Sequence, residues 1–306
     1  MVPHLPKDPG HTHANTAHIT FQFFDQENSP ATFGYEYFIS LPPTYTDSPD
    51  KRWPLVLFLH GAGESQRSSG ESYTTLRHGI PKIILAYDKL KSGQGTTVET
   101  PLAPRFEGRN PNKGKTNAVD LASMPVNEEV AALVAENFIT VTPSLDLSRG
   151  GYGWNATVLA ALLDEIEALY RVDPSRIHVT GFSMGGYGTW SLALQCPDRF
   201  ASLVPICGGA DKIRVKILKH VPHWVHHGQL DDIIPLRASQ EIVSALQKAR
   251  DESRAIPDSE KKPSDVLGAD DSDLQFTIYP DATHDCWTVT YENIEVWKWM
   301  LAKRIA

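Results

Sequence analysis

A serine flanked by glycines is the feature of this sequence that most directly predicts chemistry. Residues 181–185 read G-F-S-M-G, a G-x-S-x-G pattern with Ser183 at its centre. The residues before it, 176–180, read as a buried strand, and residues 189–194 read as part of a helix. A strand, a sharp turn and a helix form the local structure that exposes such a serine as a nucleophile. A serine between glycines is also a common turn, so the interpretation depends on partners elsewhere in the chain.

A carboxylate and a histidine follow the serine along the chain, each just past a predicted strand. Asp231 follows the apolar residues 221–226, and His284 follows the strand predicted at 274–279. A serine hydroxyl needs an adjacent base to become a nucleophile, and a histidine can take its proton and return it to a leaving group. A buried carboxylate fixes the tautomer of that histidine. Each residue alone is commonly a solvated loop residue, but the ordered set predicts a catalytic triad of Ser183, His284 and Asp231.

A candidate oxyanion hole lies in a second glycine-containing turn. Residues 53–59 form a fully apolar predicted strand that ends in the sequence H-G-A-G-E at positions 60–64. An oxyanion hole needs two backbone N–H groups aimed at the oxygen on which negative charge develops. One is expected from Met184, the residue after the nucleophile. The other is expected from Ala62, with Gly63 as the second choice.

Composition and charge narrow the classes of function. The 306 residues are enough for one large α/β domain or two small ones, and 41% hydrophobic and 22% charged residues are ordinary for a globular chain. The formal net charge of −8 argues against nucleic acid or an anionic membrane as the main partner. No apolar run approaches the roughly 20 residues that a membrane helix needs. We therefore expect a small-molecule partner, and the sequence leaves the oligomeric state open.

The N-terminus and the cysteines indicate a compartment. The first residues lack the apolar segment of a secretory signal, so we expect a cytoplasmic protein. Cys196, Cys207 and Cys286 form no C-x-x-C pair, which suits a reducing compartment, although they allow one disulfide. None of the three has a glycine-bounded turn of its own, so none is expected to be the nucleophile.

The histidines near the N-terminus do not form a metal motif. His4, His11, His13 and His18 lie in or beside a stretch rich in His, Pro and Thr. Because carboxylates and cysteines are missing at ligand spacing, we expect no metal site there. Residues 1–17 are expected to form a flexible arm.

Strands and helices alternate along the rest of the chain, which predicts a doubly wound, mostly parallel sheet with helices on both faces. Two antiparallel strands, 19–24 and 33–40, are expected to extend the edge of that sheet as an N-terminal hairpin. Apolar residues recur at helical spacing over 155–170, and further helices are predicted at 235–249 and 291–303.

Two polar segments interrupt the single domain expected over residues 18–306. Residues 92–127 are rich in Gly, Pro, Asn and Lys and show no periodicity. A structureless loop of this length is usually functional or mobile, so we expect either a lid or wall over the substrate, or a disordered insertion. Residues 251–273 are acidic, contain Ser and Pro, and are expected to form a linker.

Several motif-containing segments of the sequence resemble segments of the α/β-hydrolase superfamily. The similarity is greatest to its phospholipase/carboxylesterase and "predicted peptidase" branch, next to feruloyl-esterase-like and polyhydroxybutyrate depolymerase-like enzymes. The matching segments are 54–64, 77–82, 173–190 and 205–209, together with the aspartate and histidine loops. The chain order Ser, Asp, His is the order of α/β-hydrolases and differs from the chymotrypsin and subtilisin orders.

The resemblance implies a fold, a reaction and site residues. The fold is the α/β-hydrolase fold, and the reaction is hydrolysis of a carboxylic ester through an acyl-enzyme, without a cofactor. Ser183 would be the nucleophile and His284 the base. The family pattern H-G-x-x-D-x-x-V-P falls on residues 227–235 and selects Asp231 rather than Asp232 as the acid.

Aromatic residues near the predicted strand ends suggest a substrate class. Tyr152 and Trp154 lie in a glycine-rich loop and Trp287 follows the histidine, where they would suit an aryl or cinnamoyl acyl group. Packing beneath the histidine loop is the other role open to Trp287. We expect a serine carboxylesterase of small to medium esters. A peptidase or amidase of small peptides is the alternative, and a non-catalytic binding protein on the same fold is a third. The polar residues 92–127 do not favour an interfacial lipase.

Overall fold

Among the residues that the structure describes, eight strands form one mixed β-sheet at the centre of the computed structural model. The described residues are 22–24, 34–68, 71–100, 121–149, 151–257, 259–260 and 273–305. The predicted arm with its histidines lies outside them, as do residues 101–120 of the predicted insertion and 261–272 of the predicted linker. No helix in the described part of the chain has the length and apolar character needed to cross a membrane.

The sheet is parallel except at one edge. In chain order its strands are β1 (Gln22–Phe24), β2 (Glu36–Ser40), β3 (Trp53–Leu59), β4 (Ile139–Ser144), β5 (Val172–Phe182), β6 (Ser202–Ile206), β7 (His223–Gly228) and β8 (Leu274–Tyr279). Their order across the sheet is β1-β2-β4-β3-β5-β6-β7-β8. Strand β2 is antiparallel to both of its neighbours, while β3 to β8 run parallel to one another. This confirms the predicted antiparallel hairpin on a mostly parallel sheet.

Helices cover both faces of the sheet. In chain order they are α1 (Gly79–Lys91), α2 (Glu128–Asn137), α3 (Ala156–Leu169), α4 (Met184–Gln195), α5 (Arg237–Arg254), α6 (Trp287–Tyr291) and α7 (Ile294–Ala302). Buried side chains of α1, α2, α6 and α7 form one core, and those of α3, α4 and α5 form the core on the opposite face. The sheet is therefore the middle layer of three, as predicted.

Strand β3 shows why the middle of the sheet reads as a continuous apolar run. All seven of its residues, W-P-L-V-L-F-L, are buried. Val56 and Phe58 pack into the core with α1 and α2, whereas Leu55, Leu57 and Leu59 pack on the other face. Successive side chains of a strand point to opposite faces, so a strand covered by helices on both sides must be apolar at every position.

Helix α5 extends beyond its predicted end. It ends at Arg254 rather than at residue 249, so the polar linker predicted from residue 251 begins later than expected. The physical reason is Arg250, whose charge suggests solvent but whose side chain is buried. Its guanidinium donates to the carbonyls of Val221 and Asp273 at 2.8 and 3.2 Å. The helix therefore continues because two loop carbonyls satisfy this cation inside the protein.

Two other helical regions differ from the prediction. Helix α2 was not predicted, although Asn127 before it accepts hydrogen bonds from the backbone N–H groups of Glu129 and Val130 as an N-cap. The helix predicted at 291–303 corresponds to α7, which begins at Ile294, and a separate short helix, α6, precedes it. The break between them falls at Asn293, whose side chain caps α7 by accepting from the backbone N–H of Glu295.

The two described ends of the predicted insertion pack against α1. The backbone N–H of Val126 donates to the carbonyl of Thr96 at 3.3 Å, which ties the two ends together. Lys82 of α1 donates from Nζ to the carbonyl of Met124 at 2.8 Å. Val98 and Val126 are buried in the core that contains α1. The interpretation of the segment as a lid, a wall or a disordered insertion concerns residues outside the described part.

Several histidines are buried without charge in or beside the sheet. His60, His178, His223 and His226 are fully buried. Burial disfavours the imidazolium ion and lowers the pKa of His60 to about 4 and the pKa values of His178 and His226 to about 3. It lowers the pKa of His223 as well. These folded-state pKa values lie below the unfolded value of 6.5. Stability from these groups is therefore complete above that pH and is lost as the pH falls.

We expect the substitution His178→Asn to remove one part of this acid sensitivity. Between pH 8 and pH 5, proton uptake by His178 in the unfolded chain costs the wild type about 2 kcal/mol, and the variant cannot take up that proton. The difference in unfolding free energy between wild type and variant should therefore narrow by about 2 kcal/mol, as measured by guanidinium unfolding at the two pH values. Buried carboxyl groups act in the opposite sense, so the comparison with the variant isolates the histidine. A difference that stays constant with pH would contradict the prediction.

Candidate active site

The backbone at Ser183 is held in an unusual conformation. The residue lies between β5 and α4 with φ of 54° and ψ of −119°, a region that side-chain-bearing residues rarely adopt. The turn is possible because glycines allow a close approach of two chain segments. A Cβ atom on Gly185 would lie 1.8 Å from the carbonyl oxygen of Leu59, and one on Gly181 would lie 2.5 Å from the carbonyl oxygen of Gly185. The serine side chain is thereby presented at the end of the strand.

Ser183, His284 and Asp231 form a continuous hydrogen-bonded chain. Ser183 Oγ lies 2.9 Å from His284 Nε2, and His284 Nδ1 lies 2.8 Å from Asp231 Oδ2. The carboxylate that contacts the histidine belongs to Asp231, and the neighbouring Asp232 is exposed. The structure thus brings together the three residues that the sequence motifs single out.

The contacts determine the tautomer of His284. A carboxylate can only accept, so Nδ1 of His284 carries the proton that it donates to Asp231. In the neutral ring Nε2 is then an acceptor and receives the hydroxyl hydrogen of Ser183. This is the arrangement in which the ring can remove the serine proton as the oxygen attacks.

A second histidine holds the carboxylate in place, and sequence reasoning missed this role. His227 Nε2 lies 3.2 Å from Asp231 Oδ2 and 2.9 Å from the carbonyl oxygen of Ile234, so it donates to both acceptors. Its Nδ1 lies 2.7 Å from Ser239 Oγ, which is then the donor. Burial lowers the pKa of His227, which keeps the ring neutral. The signal in the sequence was the His-Gly pair at the start of the aspartate loop.

The aspartate is also held by its own loop. Asp231 Oδ1 accepts from the backbone N–H groups of Ile233 and Ile234 at 2.9 and 2.8 Å. The side chains of Asp231 and His227 are both fully buried. The carboxylate therefore receives hydrogen bonds on both oxygens and has one fixed orientation toward His284.

The two predicted oxyanion donors lie at the first residues of helical turns. Met184 is the first residue of α4, and Ala62 is the first residue of a 3₁₀-helix, Ala62–Glu64, that follows β3. The first N–H groups of a helix have no acceptor within it and carry partial positive charge. His60 fixes the start of the Ala62 turn. Its Nε2 accepts from the backbone N–H of Leu145 at 3.1 Å, so its Nδ1 donates to the carbonyl of Gly61 at 2.7 Å.

The three aromatic residues proposed to contact substrate have different surroundings. Trp154 donates from Nε1 to the carbonyl of His60 at 3.1 Å, and its ring packs edge-on against the ring of His60. Trp287 is buried. Its ring stacks on that of Phe182 with 4.2 Å between ring centroids, and it meets the ring of His284 edge-on with 5.3 Å between centroids. It therefore lies against the histidine loop, which was the alternative role considered for it. Tyr152 is fully exposed.

A cavity of about 370 Å³ lies between α4, the loop after β6 and α5, and none of Ser183, His284 and Asp231 lines it. Tyr187, one helical turn after Ser183, lines it and is 41% exposed. The opposite side is polar and charged, with Asp211, Lys212 and Glu241 among the lining residues. This volume lies in the range that small-molecule sites occupy.

One cluster near the serine has three atoms of metal-binding type. In the described part of the chain, the Cys207 sulfur and one atom each of Asp231 and His284 lie within 4.8 Å of one another. Burial, and then the neighbouring Cys286, raise the pKa of the Cys207 thiol, whereas a metal ligand or nucleophile must be a thiolate. Asp231 and His284 are also hydrogen-bonded to each other. The donor chemistry therefore does not fit a metal site.

Comparison with known proteins relates this geometry to esterases. The Esterase family model matches residues 148–251, a segment that contains Ser183 and Asp231 and ends before His284. Poly(3-hydroxyalkanoate) depolymerase C of Paucimonas lemoignei is 39% identical over 67 residues, which are 22% of this chain and 16% of the depolymerase. The bifunctional acetylxylan esterase/xylanase XynS20E of Neocallimastix patriciarum is 28% identical over 131 residues, 39% of this chain and 18% of that protein.

The architecture is shared more widely than the sequence. The solved structure of a thermostable esterase superposes with a TM-score of 0.54 and 22% identity, covering 94% of this chain and 63% of the esterase. This chain spans less than two thirds of the length of that esterase, and less than a fifth of each curated relative.

The close approach at the serine turn predicts that Gly185→Ala destabilises the protein. The added methyl group cannot avoid the carbonyl of Leu59 without moving β3 or α4, which should lower the unfolding free energy by about 3 kcal/mol. Chemical denaturation of the two proteins measures the difference.

Gly153→Ala is the matched control, because its added methyl group would lie 3.7 Å from Met184 Cγ, an ordinary contact distance. We expect its unfolding free energy to stay within about 1 kcal/mol of the wild type. Equal effects of the two substitutions would show that the contact between Gly185 and Leu59 does not constrain the turn.

Proposed function

We propose that the chain is a member of the α/β-hydrolase superfamily and a serine hydrolase of carboxylic esters that forms an acyl-enzyme on Ser183. The observation that carries the proposal is the hydrogen-bonded chain from Ser183 Oγ through His284 to Asp231, with contacts of 2.9 and 2.8 Å. The match of the Esterase model to residues 148–251 supports the ester as substrate class.

The first half of the reaction acylates the serine. Ser183 Oγ attacks the ester carbonyl carbon while its proton passes to His284 Nε2. The carbonyl oxygen becomes an oxyanion, and the N–H groups of Met184 and Ala62 are proposed to donate to it. Residues 61–64, named here the oxyanion loop, carry the second of these donors. The imidazolium then gives its proton to the alcohol oxygen as the bond between carbonyl carbon and that oxygen breaks.

The second half of the reaction releases the acid. Water attacks the carbonyl carbon of the acyl-enzyme and transfers a proton to His284 Nε2, and the same two N–H groups receive the second oxyanion. The bond to Ser183 Oγ breaks as the oxygen takes the proton back from the ring. Asp231 stays ionised through both halves and stabilises the imidazolium whenever it forms.

The cavity next to α4 favours small to medium esters with a polar alcohol portion. This cavity of about 370 Å³ has one aromatic wall, Tyr187, and a charged rim that includes Asp211 and Lys212. We propose that part of the substrate reaches it from Ser183, one helical turn before Tyr187. A long alkyl chain would desolvate this rim without giving it partners. Tyr152 is the aromatic residue proposed for contact with an aryl or cinnamoyl group, since Trp154 and Trp287 are engaged in packing.

A substrate series tests the proposal. Hydrolysis of p-nitrophenyl esters from acetate to decanoate should be fastest for short acyl chains, and Ser183→Ala should reduce turnover by at least about 10³-fold. Methyl ferulate measures the aryl preference, and a p-nitroanilide separates ester from amide hydrolysis. Turnover that survives Ser183→Ala would exclude the assigned nucleophile, and cleavage of the anilide without any ester would indicate a peptidase.

The two adjacent aspartates provide a matched pair of variants. We expect Asp231→Asn to lower kcat by about 10³- to 10⁴-fold, because an amide can donate to His284 and favour the wrong tautomer. Asp232→Asn removes the same charge one residue away on an exposed side chain and should change kcat by less than about twofold. Comparable losses in both variants would mean that net charge, rather than the contact with His284, explains the effect.

A further inference from the structure

The last residue of the oxyanion loop carries a buried carboxyl group that takes no part in the proposed proton transfers. Glu64 is the last residue of the 3₁₀-helix Ala62–Glu64 and is only 7% exposed. A buried carboxyl group is strongly unfavourable unless donors compensate for the lost water. Its partners therefore indicate what it does.

The Glu64 carboxyl group packs against its own loop. The carboxyl group lies near the backbone of Gly61 and of Glu64 itself, at the two ends of the loop, and the backbone N–H of Glu64 donates to the carbonyl of Gly61 at 3.4 Å. The N–H groups between these two belong to Ala62 and Gly63, the first and second candidates for the oxyanion donor. Gly61 is also confined from the other side, because a Cβ atom there would lie 3.0 Å from Glu64 Oε2 and 2.7 Å from Phe182 Cε2. The carboxyl group thus closes the loop around the proposed donors.

The segment that contains Thr74, Thr75 and His78 also holds the oxyanion loop. The carbonyl oxygen of Glu64 accepts from Thr74 Oγ1 at 2.7 Å and from Thr75 Oγ1 at 3.4 Å. His78 Nε2 lies 3.7 Å from Glu64 Oε1, and both side chains are nearly buried. With its backbone and its carboxyl group both held, Glu64 has little freedom to move independently of the oxyanion loop.

Ring contacts connect His78 to the proposed catalytic histidine, His284. The ring of His78 meets Trp287 edge-on at 5.7 Å, and Trp287 meets the ring of His284 at 5.3 Å. The oxyanion loop and the histidine loop therefore share one packed support, with Glu64 at one end of it.

We propose that Glu64 is a positioning residue whose carboxylate holds the oxyanion loop so that the Ala62 N–H meets the developing oxyanion. This inference rests on the proposed function, because it assigns a role in stabilising that oxyanion. Donors stabilise a transition state most when they are fixed before the charge appears. A carboxylate attracts the nearby backbone N–H groups of Gly61 and Glu64 with full negative charge, whereas a protonated carboxyl group attracts them less and needs a partner for its own hydrogen.

The charge of Glu64 is sensitive to pH in the neutral range. The pKa of Glu64 is raised to about 7, and burial is the main cause. The positive charge of Arg77 opposes this rise, and the carboxyl group of Asp285 adds to it. His78 faces it from the segment that carries Arg77, and Asp285 belongs to the histidine loop. The carboxylate form is therefore gained as the pH rises through neutrality, and the support for the loop should strengthen in the same direction.

The substitution Glu64→Gln tests the proposal, with an aryl trifluoromethyl ketone as probe. Ser183 Oγ adds to the ketone carbon and its proton passes to His284, which leaves an oxyanion in the proposed hole. At pH 8 we expect E64Q to bind the ketone about tenfold more weakly and to lose about tenfold in kcat, with KM changed by less than about twofold. At pH 6 the wild type is itself mostly protonated at Glu64. The ratios of ketone affinity and of kcat between wild type and E64Q should therefore approach one.

A second buried glutamate supplies the control. Glu71 is also 7% exposed, and its carboxylate accepts from the backbone N–H of Arg67 at 2.9 Å. Glu71→Gln makes the same change in a buried carboxyl group of the neighbouring segment, whose hydrogen bond goes to the backbone of Arg67. We expect its affinity for the ketone to match that of the wild type at both pH values.

The outcomes separate positioning from stability alone. Equal ketone affinity in wild type and E64Q would overturn the proposal, and so would a loss that is the same at pH 6 and pH 8. If E64Q does not fold, ¹³C NMR of wild type with carboxyl-labelled glutamate decides the question. By linkage, the ketone should lower the pKa of a buried glutamate that titrates near neutrality, and an unchanged titration would overturn the proposal.

Failure of the proposed function would look different. It would appear as wild-type turnover of esters that is absent or that persists in Ser183→Ala. Ester turnover that depends on Ser183, together with an E64Q variant that binds the ketone like the wild type, would leave the esterase proposal intact and remove only the role of Glu64.

Discussion

The site depends on a backbone conformation that a serine rarely adopts. Placing Ser183 at φ of 54° costs on the order of 1–3 kcal/mol, and such strain persists only where the surroundings determine it. Here the backbone N–H of Ser183 donates to the carbonyl of Ile206 in β6 at 3.0 Å, and α4 begins at the next residue. Gly185 touches the carbonyl of Leu59 at the end of β3. The central strands therefore fix the serine from both sides, and the strain is offset by packing that only glycine at 185 permits.

The distance between the histidine and the aspartate is set in the same way, by backbone contacts rather than by the two side chains. Strands β7 and β8 are in register up to Gly228 and Tyr279. The pairing continues into the loops, where the N–H of Leu230 donates to the carbonyl of Ala282 at 3.0 Å. A Cβ atom on Gly228 would lie 2.2 Å from the carbonyl oxygen of Thr283, so the two loops are in direct contact. Because parallel strands end at one edge of the sheet, both loops arrive beside the serine turn.

Sequence patterns could predict the features that follow from local chemistry. The bounds of β3 and β8 agree with the predicted strands because the strand-forming residues there give way to turns that contain glycine or proline. The serine, aspartate and histidine could be chosen because their types, order and positions after strands are restrictive. The length of α5 and the buried position of Glu64 could not, because a charged side chain reads as exposed until its tertiary partners are known. Arg250 meets two carbonyls, and the carboxyl group of Glu64 meets Gly61 and His78, only in the folded chain.

The role of His227 also depends on tertiary partners. It concerns the charge of Asp231 more than the position of that residue. Asp231 is a fully buried carboxylate that receives four N–H donors, two from its own loop and one each from His227 and His284. A protonated His227 would neutralise this carboxylate and weaken its attraction for the imidazolium that we propose forms on His284. Burial lowers the pKa of His227, so its ring remains neutral. A neutral imidazole can therefore orient the carboxylate while leaving its negative charge available to the reacting histidine.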